Sequence, residues 1–186
     1  GRYQVTVINL QGTVFMDPLD NPFDALDRAL EEAGNPKICI VDFHAEATAE
    51  KICFSKYLAN NYNTKDFSLI KGFWGTHTHV QTADEKIIQG MSYITDVGFC
   101  GSADSVIGMD YTTSLKRLST SLPERYEIAE SSLAQINCIE VLIDRTKTVQ
   151  IKRIAIYVDN NEEKKEVHTM KKKLLVIAVP VIPVLE

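Results

Sequence analysis

Three short apolar runs, in which apolar residues follow one another instead of alternating with polar ones, constrain the fold most strongly. They are KICIVDF (37–43), FSLIKGFWG (67–75) and MSYITDVGF (91–99). Continuous runs of this length are typical of strands buried on both faces, which occur in sheets covered by helices. The sequence therefore predicts a buried sheet within an α/β domain.

Polar capping residues mark the starts of three predicted helices. Asn21 precedes one amphipathic segment, Thr48 begins a second and Asp110 precedes a short third. Asn, Thr and Asp are favoured as N-caps because their side chains accept a hydrogen bond from a free backbone N–H group. In the second helix, the spacing predicts that Ile52 and Leu58 point inwards.

Further strand patterns occur at both ends of the domain. RYQVTVINL (2–10) alternates, with Tyr3, Val5 and Val7 on one face. Near the other end, we expect RYEIAE (125–130), INCIEVLID (136–144) and TVQIKRIAIYV (148–158) to pair antiparallel, with DRTKT as the hairpin connection. Strand and helix thus alternate early and strands cluster late, which predicts a layered α/β fold whose last sheet is antiparallel.

Charge and cysteine content limit the functional classes. The chain has 186 residues and a formal net charge of −5, so we expect no extended nucleic acid as a partner, because such binding needs a basic face. None of the four cysteines forms a CxxC pair. We expect them to be buried apolar side chains in a reducing, cytoplasmic compartment.

The last segment, residues 159–186, is predicted to be a charged linker and an apolar tail outside the domain formed by residues 1–158. His168 lies in the charged part and is expected to be exposed. The apolar run 174–185 is twelve residues long and contains two prolines. Since a membrane-spanning helix needs about 20 apolar residues, we expect an edge strand or docking segment and no membrane association.

Three of the four histidines follow predicted buried strands. His44 comes directly after the first run, and His77 and His79 follow the second. Loops at the carboxyl ends of such strands form ligand sites, and residues i and i+2 of an extended segment project to the same side. Because neutral imidazole is a common metal ligand, we predict a metal site formed by His44, His77 and His79. The alternative, two surface or hydrogen-bonded histidines in an HxH pattern, stays open at this point.

Carboxylates accompany these histidines. Asp42 and Glu46 flank His44, and Asp96 ends another predicted strand. A ligating histidine normally donates its second ring N–H group to a carboxylate or carbonyl. We predict that role for Asp42, Glu46 and Asp96, with helix capping or a purely structural role as the alternative for each. Asp84 is expected to cap a turn.

Four segments in the same order resemble the YmdB family of metallophosphoesterases. They are VINLQGTVFMDPLDNPFDAL (7–26), DFHAEATAEK (42–51), GTHTHVQTAD (75–84) and YITDVGFCG with SVIGMD (93–110). The resemblance runs from about residue 3 to about residue 157.

This resemblance implies the layered sandwich of calcineurin-like phosphoesterases and a centre of two divalent or trivalent metal ions, most often iron or manganese. It also implies hydrolysis of a small phosphodiester, including 2′,3′-cyclic nucleotides, by a hydroxide that the two metals activate. His44 and His77 would bind one metal and His79 the other. A homo-oligomer is left open.

The chain departs from the family pattern in one large respect. The family's first half supplies an aspartate in a GD loop, a glutamate–asparagine pair, and an asparagine–histidine pair that carries the proton donor. None of these occurs here, and Asn35 is followed by Pro36. We therefore expect either the C-terminal portion of a longer enzyme, whose catalytic proton donor lies elsewhere, or an inactive regulatory or interaction module. A site with one metal on three histidines is a third interpretation.

Overall fold

A computed structural model describes residues 4–34, 36–144 and 146–159 and the backbone of 175–177. In chain order its elements are β1 (Thr6–Gln11), α1 (Pro22–Glu32), β2 (Cys39–His44), α2 (Thr48–Tyr62), β3 (Ile70–Thr76), β4 (Lys86–Ile88), β5 (Met91–Ile94), β6 (Cys100–Ser102), α3 (Tyr111–Thr120), β7 (Leu133–Ile143), β8 (Thr148–Asp159) and β9 (Leu175–Ile177).

The strands form two sheets. In the first, with the order β1-β2-β3-β5-β4, the first four strands in that order are parallel and β4 is antiparallel to β5. In the second, β7 pairs antiparallel with β6, β8 and β9. The hairpin between β7 and β8 closes where the Asp144 N–H group donates to the Lys147 carbonyl over 2.9 Å. Both the α/β class and the antiparallel final sheet are confirmed.

Hydrophobic side chains pack on both faces of the first sheet. One face carries Val41, Phe43 and Phe73, which pack with helix residues such as Leu26 and Phe54. The other face carries a second cluster, shared with the antiparallel sheet: Ile40, Trp74, Ile94, Val97, Ile139 and Val141. The central strands are therefore buried on both sides, as their continuous apolar runs predict, and the layers form a sandwich.

Two of the three predicted caps are confirmed. The Asn21 side chain accepts from the Phe23 N–H group over 3.0 Å, and that of Asp110 accepts from the Thr113 N–H group over 2.9 Å. The Thr48 prediction is wrong, because Thr48 is already helical and the residue at the cap position, Ala47, has no side chain that could accept a hydrogen bond.

Local patterns also misplaced several side chains. Leu58 is buried, but Ile52 is 36% exposed. In β1, Ile8 and Leu10 face the helices, while Val5 packs against the second cluster and Val7 is exposed, which agrees with the predicted alternation of the strand. Of the cysteines, Cys39 and Cys138 are buried, Cys100 is half-buried and Cys53 is exposed, so the expectation of four buried thiols is wrong in part.

Strand lengths differ from the predictions as well. Two of the apolar runs give shorter strands, β3 and β5, than the predicted segments 67–75 and 91–99. Residues 125–130 form only one bridge, between Ile128 and Met109, and not a strand. Two backbone hydrogen bonds flank this bridge, from the Asp110 N–H group to the Glu127 carbonyl and from the Ala129 N–H group to the Gly108 carbonyl.

Within the described part of the chain, no helix is both long and apolar enough to span a membrane. His168 and most of the segment 159–186 lie outside the described residues. The backbone of β9 pairs with β7, which agrees with the predicted edge strand for those three residues.

Candidate active site

His44 and His77 meet at the carboxyl ends of the parallel strands. His44 is the last residue of β2, in register with Gln11 of β1 and Thr76 of β3. Nε2 of His44 lies 3.2 Å from Nδ1 of His77, and the two ring centroids are 5.0 Å apart. The fold therefore brings together two histidines that are 33 positions apart.

A neighbouring carboxylate indicates which nitrogen of the His77 ring carries a proton, whereas the hydroxyl beside His44 can donate or accept. A Glu46 carboxylate oxygen contacts Nε2 of His77 and can only accept, which leaves the lone pair on Nδ1 of a neutral His77. Nδ1 of His44 lies 3.0 Å from Oγ1 of Thr76. With that N–H donating to Thr76, Nε2 of His44 also carries a lone pair, and the two lone pairs face the same space.

This spacing suits a shared cation. Two ligand nitrogens that are each about 2.1 Å from one cation, with an angle of about 100° between them, lie about 3.2 Å apart. The separation between His44 and His77 is 3.2 Å. A carboxylate that accepts from the second ring nitrogen, as Glu46 does for His77, is the usual support of a ligating histidine.

His79 is held separately, and the predicted extended geometry of the HxH segment is wrong. β3 ends at Thr76, and the backbone then turns, with φ of 115° at His77 and 60° at His79. The His79 ring stacks on Phe99 with centroids 5.6 Å apart, and its Nδ1 lies 2.9 Å from the Ile107 carbonyl. Since a carbonyl only accepts, Nδ1 carries the proton and Nε2 of a neutral His79 holds the free lone pair.

His44 is favoured in its neutral form. Burial lowers its pKa first, and electrostatic interactions with His77, Lys51 and His79 lower it further, against the opposing effect of Asp96. His79 thus lies within electrostatic range of the pair. A lowered pKa keeps the His44 imidazole neutral at physiological pH, which is the form that binds metals.

Asp42 contributes a buried carboxylate oxygen at the same edge of the sheet. Its Oδ1 has no hydrogen-bond partner among the described residues. Burial raises the pKa of Asp42 against the opposing side-chain contacts with Asn9 and Thr76. Unpaired buried polar atoms are rare in proteins, and a bound ion or water is one of their explanations.

The donor set is nevertheless incomplete. No group of three or more His, Cys, Asp or Glu side chains in the described ranges is close enough to hold a metal ion. Two imidazole nitrogens with the spacing of metal ligands fit part of a metal site, and further ligands are needed to complete it.

Sequence reasoning missed Lys51, the partner of Asp96. The Lys51 ammonium lies 3.2 Å from Oδ2 of Asp96, and both side chains are fully buried. Oδ2 also accepts from the Thr78 N–H group over 2.9 Å, and Oδ1 accepts from that of Gly98 over 2.9 Å. The one available signal was the position of Lys51 on α2 inside the DFHAEATAEK segment, because a lysine that the fold buries needs a polar partner.

Asp84 ties the chain after the histidines to the end of β5. Its carboxylate accepts from the Thr82 hydroxyl over 2.7 Å, and from the Thr95 N–H group over 3.1 Å and the Thr95 hydroxyl over 2.5 Å. Burial raises the pKa of Asp84, but these hydrogen bonds outweigh burial and hold the pKa below its ordinary value of 3.8. Asp84 therefore joins two segments, because the backbone N–H group it accepts from is that of Thr95 and not one within its own turn, as the turn-capping prediction requires.

Replacing Asp84 with asparagine is expected to lower the free energy of unfolding at pH 7 by about 1–3 kcal/mol, because charge-assisted hydrogen bonds are lost. The folded pKa lies below the unfolded one, so the ionised carboxylate stabilises fully above about pH 4 and its contribution disappears as the pH falls further. Urea unfolding of both proteins at several pH values measures this. A difference in stability that grows towards acid pH would contradict it.

The family comparison matches most of the chain. A family model described as YmdB-like protein matches residues 1–154. Among curated proteins, the 2′,3′-cyclic-nucleotide 2′-phosphodiesterase of Bacillus subtilis (strain 168) is 42% identical over 160 residues, covering 84% of this chain and 58% of that protein.

Two solved structures are also similar. One is a hypothetical protein from Thermus thermophilus, with a TM-score of 0.73, 35% identity, and coverage of 82% of this chain and 57% of that one. The other is a novel phosphatase from Mycoplasma pneumoniae, with a TM-score of 0.71, 32% identity, and coverage of 83% and 54%. The chain therefore spans a little over half the length of the relatives it matches.

Proposed function

The chain belongs to the family of YmdB-like proteins, and from that premise we propose that it carries part of the metal centre of a phosphodiesterase. The reaction is the hydrolysis of a small phosphodiester, and 2′,3′-cyclic nucleotides are the substrates we propose, because the Bacillus subtilis relative is named for that activity. Residues 1–158 are proposed to form the C-terminal portion of the phosphoesterase domain, with 159–186 as a charged linker and an apolar tail.

The pair of facing imidazole nitrogens on His44 and His77 is the observation that carries this proposal. A hydrogen-bonded histidine pair of purely structural origin does not require each outer ring nitrogen to be occupied by a separate oxygen. Here Glu46 contacts the outer nitrogen of His77 and Thr76 that of His44, and the two inner nitrogens lie 3.2 Å apart, a separation that suits one shared cation.

Each residue has a distinct role in the proposed centre. His44 and His77 bind one cation, His79 binds the other through Nε2, and the Glu46 carboxylate fixes the ring of His77. Asp42, two positions before His44 in β2, has a buried oxygen, Oδ1, without a hydrogen-bond partner among the described residues. When bound, two such cations activate a water molecule and neutralise the charge on the phosphoryl oxygens. The leaving-group proton donor is not assigned to any residue of this chain.

Iron or manganese is the proposed native metal. Imidazole nitrogens suit iron, manganese or zinc better than calcium, which prefers oxygen ligands. The cytoplasm is the proposed compartment.

Metal analysis tests the centre directly. We expect the complete gene product that carries these 186 residues to hold two metal ions per chain. His44→Ala should lose one ion and keep the other, while His79→Ala should lose the ion that His44→Ala retains, because the two histidines bind different cations. Elemental analysis after gel filtration in manganese-containing buffer measures the stoichiometry.

His168→Ala is the matched control, since the fourth histidine belongs to the charged tail and should keep both ions. A parent protein without bound metal would favour the regulatory module instead. One zinc ion per chain that needs all three histidines would support the single-metal site.

A further inference from the structure

The side chain of Lys51 is fully buried and extends from α2 to Asp96. It starts on α2, on the helix side of the first sheet, and its ammonium ends beside Asp96, after β5. The side chain passes over Gly75, where an added Cβ would lie 2.9 Å from Cδ and 3.0 Å from Cε of Lys51. A glycine at this position of β3 therefore leaves the space through which the lysine reaches the carboxylate.

Asp96 connects this cation to the turn that holds the candidate ligands. Its Oδ2 accepts from the N–H group of Thr78, the residue between His77 and His79. Both histidines have positive φ, a backbone conformation that L-residues adopt only when surrounding contacts enforce it. Thr78 is the central residue of this turn. Its hydrogen bond to Asp96 therefore restrains the backbone of both His77 and His79.

Stability alone does not explain a buried ion pair. The cost of removing two charges from water often equals or exceeds their attraction, and apolar replacements of similar volume are frequently tolerated. The effect of such a pair on local geometry explains it better. An ionised carboxylate forms stronger hydrogen bonds with backbone N–H groups than a neutral acceptor does. Asp96 accepts hydrogen bonds from two backbone N–H groups, those of Thr78 and Gly98.

We propose that Lys51 is a positioning residue which, through Asp96, fixes the strained His77–Thr78–His79 turn so that the two imidazoles are held ready for metal binding. The metal-binding part rests on the proposed function. The fixing of the turn rests only on the described contacts.

Lys51→Met tests this, because methionine fills the space without the charge. Leu58→Ala is the matched control, since Leu58 is also fully buried on α2 and belongs to the hydrophobic cluster on the helix side. Amide hydrogen exchange of Thr78 and Gly98 by NMR is compared with that of the β7 amides. After correction for global stability, we expect the Thr78 amide to exchange at least about tenfold faster in Lys51→Met than in the parent. In Leu58→Ala we expect its corrected rate to equal that of the parent.

The second readout is manganese affinity, measured by calorimetry in the complete gene product. Loss of an outer support of a metal ligand typically weakens binding about 10–100-fold, and we expect that range for Lys51→Met and less than about twofold for Leu58→Ala. If the parent protein binds no manganese, the proposed function fails while the exchange measurement still tests the turn. Equal corrected exchange at Thr78 in parent and variant would overturn the positioning role.

Lys51→Met leaves the Asp96 charge buried without its partner, so a double variant guards against simple misfolding. Lys51→Met with Asp96→Asn removes both charges and should fold. Its Thr78 amide should still exchange faster than in the parent, because a neutral amide oxygen is the weaker acceptor. Parent-like protection of Thr78 in this double variant would also overturn the proposal.

Discussion

Phosphodiester hydrolysis is expected to fall by at least about 10³-fold when His77 is replaced by alanine. A catalytic metal supplies several kcal/mol of transition-state stabilisation, and each 1.36 kcal/mol is a factor of about ten in rate. His77 provides one of the two facing nitrogens, and its other ring nitrogen contacts the Glu46 carboxylate. The measurement is hydrolysis of bis-p-nitrophenyl phosphate and of a 2′,3′-cyclic nucleotide by the complete gene product.

The controls separate loss of chemistry from loss of fold. His77 is half-buried at a strand end, so the variant should unfold at nearly the parent temperature. His168→Ala should keep the parent rate, and His77→Ala combined with His79→Ala should be inactive. Normal turnover in that double variant would refute the proposed centre.

Replacing Gly75 with alanine is expected to prevent folding or to lower the free energy of unfolding by about 3 kcal/mol or more. The added Cβ would lie 1.9 Å from the Thr95 carbonyl oxygen, and this backbone is itself held, because the Val97 N–H group donates to the Gly75 carbonyl over 3.0 Å. Overpacking in cores costs about 1–3 kcal/mol when side chains can move, and a backbone obstacle costs more. Urea unfolding and soluble yield measure the effect.

Gly72→Ala is the matched control in the same strand. Its Cβ would meet side-chain atoms of Trp74 and Ser92, at 2.8 and 3.0 Å, and no backbone atom is among its nearest contacts. Side chains can rotate, so this variant should fold and lose less stability than Gly75→Ala. A Gly75→Ala protein as stable as Gly72→Ala would show that the strand can move away from Thr95.

Local signals in the sequence predicted the elements that local physics determines. The caps at Asn21 and Asp110 depend on residues two or three positions away, and the buried runs of β2 and β3 depend on composition over a few positions. The layered α/β class followed from their order. Ile52, by contrast, was expected to point inwards but is 36% exposed, because the inward face of α2 is set by how the helix packs on the sheet.

The candidate site could be predicted as a set of residues but not as a geometry. The HxH pattern and the YmdB resemblance selected His44, His77 and His79, yet the chain leaves β3 before His77, so the rule for extended segments does not apply. The Lys51–Asp96 contact joins residues 45 positions apart, and no periodic pattern encodes it. Such contacts arise only after the layers have packed.

The two histidines of the HxH segment are attached to different layers of the sandwich. His77 is tied to β2 through His44, whereas His79 rests on Phe99 and Ile107, in the segment that leads into and out of β6 of the antiparallel sheet. The distance between the imidazoles of His77 and His79 is therefore set by how the layers pack against each other. Substitutions in the interlayer cluster around Trp74 and Ile139, which supplies none of the proposed ligands, would change that distance and, with it, the fit of the two imidazoles to a metal centre.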